Sequence, residues 1–168
     1  MPATKMAYDI CCQLIDNVLL SDTYQVQPPQ LNFILLEVDS KYGDEITRRV
    51  KVLYQANSEK DPPKDHVEVY NAVCTELLSE FTLSRLFMGL YFATKYISLV
   101  QEIEQPSKDE LAVLRIKLSD ELKFIIKPFQ SSLKSSLKSS LTNLSKSWVP
   151  WFMCACCVTV GLLGITYL

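Results

Sequence analysis

The stretch LFMGLYFATKYISLV, residues Leu86–Val100, decides how this chain of 168 residues folds. It carries a single charge, Lys95, and is apolar on almost every side of a helix. A helix of that kind lies either at the centre of a bundle or in a membrane. Because fifteen residues are short for a membrane span, the stretch predicts a central core helix around which other helices pack.

The segments on both sides of this stretch are amphipathic at helical spacing, with apolar residues every three or four positions. These segments are Met6–Leu20, Leu31–Ala56, 67–81 and Leu111–Phe129. Two capping boxes, Asp65 with Glu68 and Ser107 with Glu110, predict where two of the helices begin. No segment alternates as a strand does, so the sequence predicts an all-α fold of about seven helices around one hydrophobic helix, followed by a C-terminal tail.

The overall composition excludes two classes of protein. Basic and acidic side chains number 17 and 19, giving a net charge of −2, whereas a nucleic-acid binder is strongly basic. Apolar residues make up 48% of the chain, which is too many for a disordered protein. We therefore expect a packed core and no nucleic-acid partner.

The last 21 residues, Trp148–Leu168, read WVPWFMCACCVTVGLLGITYL and contain no lysine, arginine, aspartate or glutamate. As a helix they would extend about 31 Å, the thickness of the hydrocarbon core of a bilayer. Trp148 and Trp151 stand where an interfacial aromatic belt belongs, and Gly161 and Gly164 fall within the span. The segment predicts a single transmembrane tail anchor, with residues 1–147 facing the cytosol.

Two questions about this tail stay open at the level of sequence. A buried core helix over Val149–Leu168 is the alternative to a membrane span. Cys154, Cys156 and Cys157 are either small apolar fillers or sites of palmitoylation.

Three domains follow from these patterns: a helical domain over 1–130, a serine- and lysine-rich segment over 131–147, and the anchor over 148–168. The middle segment contains SSLKSSLKSSLTNL, whose leucines form a thin apolar stripe beside lysines. It is either a surface helix on the core or a basic juxtamembrane helix at the lipid interface.

The residue types that carry enzyme chemistry are scarce in this chain. It has no glycine-rich phosphate loop, and its one histidine, His66, lies in a polar linker. No pair of cysteines has metal-ligand spacing, and Cys11, Cys12 and Cys74 are expected to be reduced thiols. We expect no enzyme activity, no metal and no cofactor, and we interpret the chain as a helix-binding protein.

An all-α domain with a central apolar helix and a tail anchor resembles the B-cell lymphoma two (Bcl-2) family of apoptosis regulators. The stretch YGDEITRRV, Tyr42–Val50, is similar to the third homology motif, the family's death motif, and its wording is Bak-like. The resemblance implies that Gly43 permits close helix contact and that Asp44 pairs with an arginine. The residues implied for the chain's own death-motif helix are Asp39, Tyr42, Gly43, Asp44 and Ile46.

A second stretch, Glu76–Ala93, resembles the family's first homology motif. Thr82-Leu83-Ser84-Arg85 stands where the family has Asn-Trp-Gly-Arg. The resemblance implies that Arg85 receives the aspartate of a partner helix and that Phe92 lines the groove that holds this helix. The implied groove residues are Leu83, Ser84, Arg85, Met88 and Phe92.

The chain departs from the family pattern at three places. Asp39 stands where the death motif has a large aliphatic residue, and Ser84 replaces a glycine at the start of the central helix. The second homology motif is not recognisable after Pro128 and Phe129. A carboxylate at position 39 would be costly to bury in a partner's apolar groove.

The resemblance implies a regulator of apoptosis that binds amphipathic helices of other family members at the mitochondrial outer membrane or the endoplasmic reticulum. Asp39 favours a pro-survival protein, because such a protein needs no working death motif of its own. The alternative is a Bak-like effector that oligomerises and permeabilises the membrane, with Leu86–Val100 and Leu111–Phe129 inserting as a hairpin. A second alternative is a tail-anchored tethering or trafficking protein. Homo- or hetero-oligomers fit each of these functions.

Overall fold

The computed structural model describes residues 3–20, 29–133 and 135, and all of its regular elements within these ranges are helical. The all-α prediction is confirmed. The helices are α1 (Ala3–Leu19), α2 (Pro29–Ser58), α3 (His66–Leu77), α4 (Leu83–Glu104) and α5 (Lys108–Ile126), with a 3-10 turn at Lys127–Phe129. The helices predicted beyond residue 135 lie outside the described residues.

Helix α4 is the centre of the bundle, as the apolar stretch predicts. Leu86, Phe87, Leu90 and Tyr96 are completely buried, and α1, α2, α3 and α5 all pack on α4. Fully burying a large apolar side chain stabilises a fold by about 1.5–3 kcal/mol. The surrounding helices need only one apolar face each, which is what their amphipathic spacing provides.

Helix α5 also joins α1 to α3 on the side of α4 away from α2. Asp16 of α1 forms an ion pair with Lys123 at 2.6 Å and accepts a hydrogen bond from the buried Ser119 at 2.7 Å. One turn further along α1, Arg115 donates to the carbonyl of Leu19 at 3.1 Å and so satisfies the end of the helix. These contacts make α1 and α5 antiparallel.

One of the two predicted capping boxes forms. The Ser107 hydroxyl accepts from the Glu110 amide at 3.2 Å, and the Glu110 carboxylate accepts from the Ser107 amide at 2.8 Å. Asp65 is the N-cap of α3, which confirms the predicted start of that helix, but its side chain makes no capping hydrogen bond and the predicted capping box is wrong. Asn57 instead fixes the entry to α3, because its amide bonds both backbone groups of Lys64.

The C-terminal segments fall largely outside the described residues. Of 131–147, only 131–133 and 135 are described, and Leu133 there is completely buried. All of 148–168 lies outside. Among the helices that the structure does describe, none combines the length and the apolarity that crossing a bilayer requires.

We expect Ser107→Ala to lower the free energy of unfolding by about 1 kcal/mol, because it removes an N-cap hydrogen bond from α5. Asp65→Ala is the matched control, since its side chain makes no such bond, and it should cost clearly less. Urea unfolding followed by circular dichroism measures both. Equal losses for the two variants would contradict the assignment of the caps.

Candidate functional site

Three of the predicted groove residues, Arg85, Met88 and Phe92, follow one another at steps of three and four along α4. We call them the central stripe. They lie between two sides of α4 that are already occupied. Tyr91 faces α2, where its hydroxyl donates a hydrogen bond to Asp39. Gly89 faces α3, and the Tyr70 hydroxyl of that helix donates to the Gly89 carbonyl at 3.1 Å. The central stripe is therefore the floor between α2 and α3.

Arg85 lies at the open end of this floor. Its amide donates to the hydroxyl of Thr82, the N-cap of α4, at 3.2 Å. Its side chain is 34% exposed. The guanidinium reaches the carbonyls of Leu77 and Glu80 at 3.5 and 3.4 Å, and the Glu80 carboxylate lies 3.7 Å away. These distances are long for hydrogen bonds and for an ion pair, so the present partners of Arg85 are weak.

The apolar groove residues are buried within the fold. Leu83, Met88 and Phe92 are 8%, 2% and 7% exposed. The Phe92 ring stacks with Tyr70 of α3 and with Tyr96 of α4, at centroid distances of 6.2 and 5.8 Å. The side chain of Ser84 lies outside what the structure describes. A helix could reach the central stripe only if α2 and α3 moved apart.

Helix α2 is held on α4 by an ionic contact that we call the Asp39 cluster, made of Asp39, Tyr91 and Lys95. The Asp39 carboxylate accepts a hydrogen bond from the Tyr91 hydroxyl at 2.7 Å and pairs with the Lys95 ammonium at 2.5 Å. The same ammonium lies 5.4 Å from the centre of the Tyr91 ring. Asp39 of α2 thereby neutralises Lys95, the single charged residue of the apolar stretch Leu86–Val100.

The protonation of Asp39 follows from these partners. Desolvation pushes the pKa of its carboxyl group upward, but the hydrogen bonds from Lys95 and Tyr91 and the charge of Lys95 outweigh it. The pKa of Asp39 is therefore lowered. Asp39 is ionised at neutral pH and binds most strongly in that form.

Gly43 lies one turn beyond Asp39 on α2 and is buried against α4. A Cβ atom at this position would lie 3.0 Å from the Asp39 carboxylate and 3.3 Å from the Tyr91 hydroxyl. The absence of a side chain thus permits the close approach that the resemblance implies for this glycine. A methyl group would displace two members of the Asp39 cluster.

The remaining death-motif residues are divided between core and surface. Ile46 is buried in the core, Asp44 is exposed, and the side chain of Tyr42 lies outside the described part. The resemblance implies a pairing of Asp44 with an arginine. The two arginines that follow pair instead with Glu45, Arg49 at 2.9 Å and Arg48 more closely still. Arg48 and Arg49 follow Glu45 by three and four residues, so all three side chains lie on the same face of the helix.

Tyr91 and Lys95 are absent from the predicted site residues. A lysine inside an otherwise apolar run is the signal that indicates a buried ion pair, because an unpaired ammonium is costly to desolvate. Its partner is not readable from sequence, since Asp39 lies far away along the chain and several other carboxylates are available.

A second polar cluster joins α2, α3 and α4 at the end opposite Arg85. The ring nitrogens of His66 lie 2.9 Å from the Tyr96 hydroxyl and 3.1 Å from a Glu104 oxygen, and Tyr54 donates to the same carboxylate. His66 is the first residue of α3 and does not lie in a linker as predicted. Burial, with the hydrogen bond to Glu104, raises the pKa of Tyr54 to about 12. The cluster holds the three helices together at this end.

The thiols in the described part are free. Cys11 and Cys74 are buried, and desolvation raises the pKa of each to about 12, so neither is a thiolate at neutral pH. No group of three metal-binding side chains occurs within the described residues. The membrane-anchor residues Trp148, Trp151, Gly161 and Gly164, with Cys154, Cys156 and Cys157, lie outside those residues.

No family model matches the chain, and neither a curated protein nor a solved structure does. The resemblance to the B-cell lymphoma two family therefore rests on the sequence motifs alone.

We expect Asp39→Asn to lower the free energy of unfolding at pH 7 by about 0.5–1.5 kcal/mol, a modest value because the carboxylate is half exposed. The pKa of Asp39 is lower in the folded than in the unfolded chain. The contribution of Asp39 to the free energy of unfolding is therefore complete above the pKa of the unfolded chain, about 3.9. It is lost as pH falls through the lower pKa of the folded chain. The difference between variant and unmodified chain should shrink below about pH 4.

Urea unfolding at a series of pH values measures this difference. Asp44→Asn is the matched control, since Asp44 is an exposed carboxylate on the same helix, and it should change stability by less than about 0.5 kcal/mol. A loss that does not vary with pH would contradict the ionic role of Asp39.

Proposed function

We propose that this chain is a regulator of apoptosis that holds the amphipathic death-motif helix of another family member between α2 and α3, over the central stripe. The observation that carries the proposal is Arg85. It is an arginine at the open end of an apolar floor, and its partners among the described residues are weak. One fixed charge beside an apolar surface is what sets the register of a bound amphipathic helix.

An aspartate on the partner helix would replace Glu80 beside Arg85. The Glu80 side chain is 82% exposed and its carboxylate lies 3.7 Å from the guanidinium, so displacing it costs little. A guanidinium binds a carboxylate through two parallel hydrogen bonds and keeps its charge at every physiological pH. The chemistry of this end of the floor fits the acidic residue of a death motif.

The packing of α2 supports an opening on this side. Helix α2 packs chiefly on α4, and within the described part of the chain it has few contacts with α3. Helices α1 and α3 each pack on α5 as well as on α4. Moving α2 away from α3 at the Arg85 end would expose Met88 and Phe92, while Tyr54 keeps its contacts with His66 and Glu104 at the other end and the rest of the bundle keeps its own.

We further propose that the protein is pro-survival. A Bak-like effector must release its death-motif helix and insert that helix into a neighbour's groove. Here the helix carries Asp39, whose charge is already bound by Lys95 and Tyr91. Releasing it would leave Lys95 unpaired in a largely apolar setting and would carry a carboxylate into an apolar groove, and both changes are unfavourable. The tail over 148–168 would place this activity at the mitochondrial outer membrane or the endoplasmic reticulum.

We expect Arg85→Ala to weaken binding of a synthetic death-motif peptide by about 10- to 150-fold, the effect of losing a hydrogen bond to a charged group. Isothermal titration of the full chain in detergent measures the affinity. A peptide in which asparagine replaces the motif aspartate should bind the unmodified chain correspondingly less, and the two losses should not add. Additive losses would show that Arg85 does not contact this aspartate.

Arg48→Ala is the matched control for this measurement. It removes the same charge from a side chain that is 71% exposed and bound to Glu45, away from the central stripe. Its peptide affinity should stay within about twofold of the unmodified value. A loss as large as that of Arg85→Ala would mean that net charge, and not the groove, controls binding.

Dye release from liposomes separates the pro-survival function from the effector function. We expect the full chain to bind the peptide without releasing dye, because the Asp39 cluster keeps α2 on its own central helix. Release triggered by the peptide would identify an effector. Neither binding nor release would favour the tethering or trafficking alternative.

A further inference from the structure

The outer side of α5 exposes three large apolar side chains that no other described helix covers. Val113 is 50% exposed, Ile116 is 49% exposed, and Phe124 is 72% exposed. Lys117 and Asp120 are exposed between them. At 100° per residue these five side chains fall within an arc of about 100°, so they form one continuous surface. We call it the outer face of α5.

The opposite side of α5 is fully used by the fold. Leu118, Ser119, Leu122 and Ile126 are buried against α1, α3 and α4. The apolar residues of the outer face therefore lie outside the core that the described helices form. Phe124 in particular loses hydrophobic stabilisation by remaining in water, and large exposed apolar patches mark surfaces that bind a partner.

The outer face has the symmetry of a self-complementary surface. Val113 and Phe124 lie equally far from its midpoint, between residues 118 and 119, and they are about 16 Å apart along the axis. Lys117 and Asp120 also lie equally far from that midpoint and carry opposite charges. If two copies pack antiparallel about this point, each Val113 meets Phe124 of the other copy, and each Lys117 meets Asp120.

We propose that the outer face of α5 is the interface of a symmetric dimer in which two copies of this chain pack α5 against α5, antiparallel. Such an interface is isologous, because the same surface serves both subunits. It lies away from the central stripe and leaves Arg85 open. The proposal therefore does not depend on the proposed function.

A lipid surface fits the outer face less well. Asp120 lies near the middle of the arc, so a helix lying in a bilayer interface would bury a carboxylate among acyl chains. Interfacial helices carry their charges on the opposite, polar side. In the dimer the same carboxylate meets an ammonium group, and the apolar residues on either side exclude water from the pair.

Charge reversal tests this geometry. The unmodified full chain in detergent should sediment as a dimer. Lys117→Glu alone and Asp120→Lys alone each place like charges opposite each other at two points, so each should weaken the dimer at least tenfold. The double variant restores opposite charges and should restore the dimer. Because Lys117 and Asp120 also neighbour each other within one helix, mixing the two single variants provides the sharper test.

In the mixture, a Lys117→Glu chain meets an Asp120→Lys chain with opposite charges at both points. Chains carrying different affinity tags should co-purify as a heterodimer, although each variant dimerises poorly alone. An effect confined to one helix would not produce this pairing. Single variants that dimerise as well as the unmodified chain, or an unmodified chain that is monomeric, would overturn the proposal.

Phe124→Glu tests the apolar contribution, and Ile103→Glu is its matched control. Ile103 is 51% exposed but lies on α4, outside the outer face of α5. Phe124→Glu should raise the dimer dissociation constant by about a hundredfold, because the symmetric interface loses two aromatic side chains. Ile103→Glu should leave it unchanged. Equal effects of the two variants would also overturn the proposal, whereas loss of peptide binding alone would not.

Discussion

The need to bury a helix that is apolar on every side determines this structure. Leu86–Val100 can leave water only if other helices surround it, and four do so. Each of these helices needs a single apolar face, which explains why the rest of the described chain is amphipathic. Helix α4 therefore determines where the core and the candidate site lie, because each surrounding helix is positioned by the part of α4 that it covers.

A central stretch without charges would allow the neighbouring helices to slide, but Leu86–Val100 has one charge, that of Lys95. An ammonium group in that position must be paired, and Asp39 pairs with it while Gly43 brings α2 close enough. The interaction defines one register for α2. It also gives a physical reason for an aspartate where the resembled motif has an aliphatic residue, since here the position serves the chain's own central helix.

The sequence predicts the helices better than it predicts the contacts between them. Periodicity locates every described helix, because apolar spacing is local information. The capping box at Ser107 is equally local and forms. Asp65 makes no side-chain cap, and Asn57, from the preceding helix, bonds the backbone of the neighbouring Lys64, a contact that no local pattern indicates. Asp39 and Tyr91 are 52 residues apart, and no local pattern indicates which carboxylate meets the polar groups of α4.

The same contacts determine how α4 can become accessible. Helix α5 joins α1 and α3 into one body with α4, so exposing α4 on that side would break several interfaces together. Helix α2 rests chiefly on α4, through the Asp39 cluster and through buried residues such as Ile46 and Val50. A ligand that binds the central stripe must shift α2 away from α3 while the Asp39 cluster still holds α2 on α4, and its apparent affinity is the intrinsic affinity multiplied by the fraction of chains in that open form. By limiting how far α2 can move, the Asp39 cluster limits how tightly any helix can bind beside Arg85.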